Sequence, residues 1–180
     1  MTPRYEFFMK GRPRSRKPYH LKGVGLPNVY LLNGFKLEND PDYGKLVTIE
    51  RLDGLHVAIG LALTFKEGPL TGPELRYLRK HMRLTQTELA ARLRVTHQTV
   101  ANYEKGKTGK GETGAGPADI AIRFLYLSHI EPDEEKAAVL KYMAERVVAP
   151  DEHHPPKKLP ARTQQRLSGK WAPVVEMAAA

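Results

Sequence analysis

A chain of 180 residues with 41% hydrophobic and 27% charged side chains has ordinary globular composition, enough for one domain with appendages or two small ones. It contains 0 cysteines, which excludes disulfides, thiolate zinc sites, iron–sulfur clusters and cysteine nucleophiles. Lys and Arg number 29 against 20 Asp and Glu, and this net charge of +9 suggests a polyanionic partner.

The first 22 residues hold 7 basic and 1 acidic side chains, with Pro3, Pro13 and Pro18 among them. They read as a disordered basic arm (1–22), either simply solvated or ordering on nucleic-acid phosphates. A small module of sheet and helix is expected next, over 23–68. Val29–Leu32 and Phe35–Leu37 flank Asn33-Gly34, the strongest short hairpin signal, because both turn residues tolerate positive φ. Lys45–Arg51 supplies a further strand beyond the turn residues Asn39-Asp40-Pro41-Asp42, so 28–51 reads as a small antiparallel sheet. Asp53 is placed to cap a helix carrying Leu55, Ile59, Ala62 and Leu63, which Gly68-Pro69 ends. Its apolar run from Val57 to Phe65 requires burial against the sheet or another subunit.

Residues 69–148 read as a helical domain. Thr71 with Glu74, and Thr85 with Glu88, have the spacing of capping boxes, and Thr96 is a third cap. Gly106 has the position of a helix-ending glycine. These helices are about ten residues or fewer, so they need mutual packing through Leu78, Leu84, Leu89, Leu93, Val95 and Val100. Gly106–Gly116 is a flexible basic loop; it lacks the preceding strand and following helix that a phosphate-binding loop requires. Pro117 opens an apolar helix to about His129. Pro132 opens a last helix whose Val139, Leu140, Met143 and Val147 face inward. Residues 149–180 lose all periodicity and read as a disordered tail.

The densest pattern is Leu84-Thr85-Gln86-x-Glu88-Leu89-Ala90-x-x-Leu93-x-Val95-x-x-x-Thr99-Val100-x-x-x-Glu104-x-Gly106. It resembles the Cro/cI-type (Xre) helix-turn-helix. The residues agree with that likeness: Ala90 is small where two helices would cross, Leu93 and Val95 would bury the turn, and Val100 would leave the opposite face free. That face carries His97, Gln98, Thr99, Ala101 and Asn102. Gln98 and Asn102 are four apart, on one side of a helix, and either amide can pair bidentately with adenine. His97, Gln98, Thr99 and Asn102 are thus the candidate base contacts, and Thr96, Lys105 and Lys107 candidate phosphate contacts. The resemblance gives Gln86 a phosphate-contacting role and pairs Glu104 with Arg79 structurally. Arg94 departs from the family pattern, standing where the turn usually has glycine; a positive φ there costs roughly 1 kcal/mol.

Further segments, Pro18-Tyr19-His20, Gly25-Leu26-x-Asn28-Val29-Tyr30-Leu31-x-Asn33-Gly34 and Asp53-Gly54-Leu55-His56-x-Ala58-Ile59-Gly60, look like those of DNA-binding antitoxins of the MqsA/HigA type and related stand-alone regulators. The cysteine-ligated zinc module of that type is absent, since there is no cysteine. The resemblance implies a homodimer on a palindromic operator. The expected fold is mainly α: a five-helix, lambda-repressor-like domain preceded by a small antiparallel sheet and one apolar helix. Two surfaces are candidates for the dimer contact, Val57–Phe65 with its sheet, expected to be the larger contributor, and the last helix with Leu140, Met143 and Val147. The expected function is sequence-specific transcriptional regulation on double-stranded DNA; the alternative is an antitoxin that binds a toxin protein and autoregulates its operon.

No nucleophile, base and orienting group stand at interpretable spacing, so an enzyme is not expected and no residue is assigned as catalytic. His153-His154 lies among prolines with nothing to fix metal geometry. No cofactor and no metal is expected. No run nears the ~18 apolar residues of a membrane span, nor does the N-terminus hold the apolar core of a secretory signal, so a cytoplasmic location is expected with no membrane partner.

Overall fold

The computed structural model describes residues 4–107, 116–130 and 171–174. In chain order these form β1 (Tyr5–Met9), β2 (Tyr19–His20), β3 (Val29–Leu31), β4 (Phe35–Asp40), β5 (Gly44–Ile49), α1 (Leu52–Thr64), α2 (Gly72–His81), α3 (Gln86–Leu93), α4 (His97–Glu104), α5 (Pro117–Ile130) and β6 (Trp171–Pro173). They fall in two compact units, one within Met1–Ile59 and Gln165–Ala180, the other within Gly60–Gln164. Among the described residues no helix is long and apolar enough to cross a membrane. The loop centre at 108–115 and the helix expected from Pro132 to 148 lie outside the described residues.

The first unit is built on a four-stranded sheet of order β2-β3-β1-β6. It is mixed rather than antiparallel: β1 runs parallel to β3, with Tyr5 opposite Val29 and Phe7 opposite Leu31, and antiparallel to β6. Two sequence expectations fail here. Residues expected in a disordered arm supply β1 and β2, and part of the expected tail supplies β6. The reason is averaging. The basic residues from Lys10 to Lys17 belong to the connection between β1 and β2, and they obscure the short run Tyr5-Glu6-Phe7-Phe8-Met9. Its alternation puts Phe7 and Met9 on the buried face with Val29, Leu31 and Trp171. Residues 1–17 therefore cannot be removed as an appendage, because β1 would go with them.

The hairpin expected at Asn33-Gly34 does not form either, since β3 and β4 belong to different sheets. β4 pairs instead with β5, Leu37 opposite Val47. The turn between them is held by Asp40, whose Oδ1 accepts from the amides of Asp42 and Tyr43 at 2.9 Å each. The side chain of Asn33 is buried and spent elsewhere. Its Oδ1 accepts from the Met9 amide, and its Nδ2 donates to the carbonyls of Met9, Arg12 and Pro13, each at 3.2 Å. Gly34 does take the positive φ expected of it, at +72°, and a Cβ there would meet Met9 Sδ and the Trp171 ring at 2.7 Å. The dipeptide thus ties β3 to the β1–β2 connection rather than reversing the chain.

The second unit contains α2 to α5 around Leu75, Leu78, Leu89, Val100, Ile122 and Tyr126, all buried. Arg123 and Asp119, one turn apart on α5, organise its edge. Arg123 donates to the carbonyls of Thr64 at 2.9 Å, Lys66 at 3.0 Å and Gly68 at 2.8 Å, while Asp119 accepts from the Leu70 amide at 3.0 Å. A helix end leaves carbonyls without internal partners, and this guanidinium satisfies those at and just beyond the end of α1. Tyr126 passes under Gly60, where a Cβ would lie 1.9 Å from its hydroxyl, and that hydroxyl meets His81 Nδ1 at 2.7 Å. The five helices and small sheets among the described residues are consistent with a helix-turn-helix domain.

Candidate nucleic-acid interface

The caps expected on α3 and α4 are formed. The Glu88 amide donates to Thr85 Oγ1 at 3.1 Å and the Thr85 amide donates to Glu88 Oε2 at 2.7 Å, a complete capping box. Hydrogen bonds from Thr85 and the nearby Arg92 hold the Glu88 carboxyl below the usual carboxylate range. At α4 the Thr99 amide donates to Thr96 Oγ1 at 3.1 Å. At the start of α2, the Thr71 amide donates to Glu74 Oε2 at 2.7 Å.

Between α3 and α4 the chain turns at Arg94, which adopts φ 54° and ψ 40°. The amide of Val95 reaches back to the Ala90 carbonyl at 3.0 Å, closing the helix end in the manner that usually uses glycine. Arg94→Gly is expected to stabilise the protein by about 0.5–1 kcal/mol, since glycine reaches this conformation without a Cβ penalty. Thermal unfolding checks this; a lower midpoint would mean that the arginine side chain contributes more than the strain it introduces.

With Ala90 and Val100 buried at the crossing, α4 presents its other side outward. His97 and Gln98 are exposed, and Thr99 and Asn102 half-exposed. Gln98 Nε2 donates to Asn102 Oδ1 at 3.2 Å, so these two amides do share one face. The hydroxyl of Thr99 sits 2.8 Å from that of Thr96. Lys105 and Lys107 are exposed just past the end of α4, and Thr96 is exposed just before it. Ala101, expected on the free face, is instead buried, because it lies one position from Val100 on the side packed into the unit. Leu93 and Val95, expected to bury the turn, are only half-buried.

Glu104 is the electrostatic centre beneath this surface, its side chain 1% exposed. Arg79 donates to both of its oxygens and also to the Leu84 carbonyl at 2.7 Å. Arg76 Nε reaches Glu104 Oε2 at 3.1 Å and Gln86 Nε2 reaches it at 2.9 Å. Burial alone would raise this carboxyl's pKa, but the hydrogen bonds from Arg79, Gln86 and Arg76, with the charge of Arg79, outweigh it and hold the group below its usual range. The pairing of Arg79 with Glu104 had its sequence signal. Arg76 as a second donor, and Gln86 as a third, did not enter that reading. Gln86 stands at the first position of α3, half-buried, with one of its two amide hydrogens committed to Glu104. The clamp of Asp119 and Arg123 was also missed, although its i, i+4 spacing was visible.

Residues 75–111 match the family model described as Helix-turn-helix. No curated protein and no solved structure matches the chain. The match takes in α2 from Leu75 onward, α3, α4 and the turn at Arg94, which are the elements that create the outward face of α4. This segment is a helix-turn-helix of the Cro/cI (Xre) type, the DNA-binding module of transcription regulators.

Proposed function

We propose that the protein is a sequence-specific regulator that binds as a homodimer to a palindromic operator in cytoplasmic DNA. The observation that carries this reading is the Gln98–Asn102 amide pair, held outward on a helix whose opposite side is anchored by Val100. His97, Gln98, Thr99 and Asn102 would meet base edges in the major groove, and Gln86, Thr96, Lys105 and Lys107 the flanking phosphates. Gln86 keeps one amide hydrogen for a phosphate while Glu104 orients the group through the other. The helix expected at 132–148 would complete a five-helix, lambda-repressor-like and mainly α domain over 69–148. A palindrome needs two such modules about one duplex turn apart, ~34 Å, hence the dimer. No enzymatic step and no cofactor belongs to this proposal.

Gln98→Ala is expected to cost about 1–3 kcal/mol on a site selected from random duplexes, and much less on unselected duplex. Titration of both DNAs with the parent and the variant checks it. Equal losses on the two would remove Gln98 from base reading.

The antitoxin reading draws support from the β4–β5 hairpin. Leu37 is 58% exposed and stands opposite the exposed Val47 on one face of the hairpin, with Tyr43 81% exposed in its turn, an apolar surface suited to a protein partner. A neighbouring gene whose small product binds the hairpin and is inactivated by it would favour that reading.

A further inference from the structure

The outward face of the four-stranded sheet has chemistry that a scaffold does not require. Phe7, Met9, Val29 and Leu31 point into the core, so Glu6, Phe8 and Tyr30 point the other way. His20 pairs with Tyr30 across β2 and β3 and stacks on its ring, centroids 4.7 Å apart and planes 16° from parallel. Two guanidinium groups lie over rings of this face: Arg4 4.1 Å above Tyr30, and Arg14 3.9 Å above Phe8. Arg4 remains 52% exposed and also pairs with Glu6 at 2.7 Å. Around these run Lys10, Arg12, Arg16, Lys17 and Lys22, all exposed, with Arg12 paired to Glu50.

We propose that this face binds single-stranded nucleic acid, bases stacking on the solvent sides of Arg4 and Arg14 while the basic β1–β2 connection takes the phosphates. An arginine already laid over a ring has given up rotamer freedom before any ligand arrives, so it presents a preordered cation for a base. The excess of 7 basic over 1 acidic side chains in residues 1–22 complements a phosphate chain. It does not complement an acidic patch of one protein more than another, whereas the alternation of flat cations with rings suits flat bases. The ligand must be single-stranded because a paired base hides its faces in the stack, and only an unpaired one can offer them to a sheet. Glu6 lies on this face beside Arg4 and opposes a phosphate there. The proposal is independent of the helix-turn-helix reading, which concerns different residues and duplex DNA.

The test uses the full chain, with labelled single strands of about 15 thymidines or uridines and a selected duplex as comparison. The wild-type protein should bind at least one of the single strands at low salt, with affinity falling as salt rises. Arg4→Lys combined with Arg14→Lys keeps both charges but removes the planar groups, and should weaken single-strand binding about tenfold while leaving the selected duplex unaffected. Glu6→Gln should tighten single-strand binding severalfold. Gln98→Ala should leave it unchanged. Three results would overturn the proposal: binding of neither single strand, a double-lysine variant that binds single strands as well as wild type, or a loss on single strands with Gln98→Ala equal to that with the arginine variants.

Discussion

Replacing Glu104 with glutamine is expected to cost about 3–5 kcal/mol, the range for breaking a buried ion pair by removing one partner. The carboxylate accepts from Arg79, Arg76 and Gln86 at once, and Arg79 is itself buried. A neutral amide in its place leaves the Arg79 guanidinium without a countercharge and turns an N–H towards a donor. Little can move to compensate. Gly72, at the start of α2, lies so close to the end of α4 that a Cβ would stand 2.5 Å from the Glu104 carbonyl oxygen. The same residue therefore fixes α4 to α2 through its backbone and its side chain. Since a typical domain is stable by about 5–15 kcal/mol, the loss removes a large share. Urea unfolding near neutral pH measures it, and a cost below about 1 kcal/mol would show that the network is dispensable.

The acid limb supplies an independent check. The folded carboxyl titrates below its usual value, so its contribution is complete above the unfolded value of about 4.3 and is lost as pH falls through the folded one. The parent should thus lose stability below about pH 4 more steeply than Glu104→Gln, which has nothing to protonate at this position.

The helix-turn-helix was legible because its signals are local. Thr85 and Glu88 are three residues apart, Gln98 and Asn102 four, and Arg94 holds the place where the family pattern usually has the glycine of a left-handed turn. What sequence could not supply was the environment of those residues. Whether Ala101 faces outward depends on how far α4 rolls towards α2, and whether the Gln86 amide is free depends on Glu104, eighteen positions away. The sheet was harder still. β1 finds its partners at β3 and β6, about 24 and 164 residues along the chain, and no periodicity within a window of ten reports such pairing. The Asn33-Gly34 turn illustrates the same limit. Gly34 has the conformation its type suggests, but the destination of the chain was decided by the buried hydrogen bonds of Asn33 to Met9, Arg12 and Pro13.

Trp171→Ala is the substitution expected to damage the sheet unit most, at about 3–5 kcal/mol. The indole is 1% exposed, packs where Gly34 leaves no room for a side chain, and donates from Nε1 to the Glu50 carbonyl at 2.9 Å. β6 is only Trp171–Pro173, so its hold on β1 rests largely on that one side chain rather than on a long ladder of hydrogen bonds. Truncation to alanine removes the apolar contact with Met9 and leaves the Glu50 carbonyl without its donor. Amide hydrogen exchange would localise the effect: protection at Phe7, Met9 and Leu31 should fall by roughly 10²-fold or more, the equivalent of about 3 kcal/mol. Trp171→Phe, which keeps most of the apolar contact but has no N–H, should lose about 1–3 kcal/mol for the unpaired carbonyl and the smaller ring. Unchanged protection in the alanine variant would mean that β1 and β3 hold their register without β6, and that the closing strand is an accessory to the sheet.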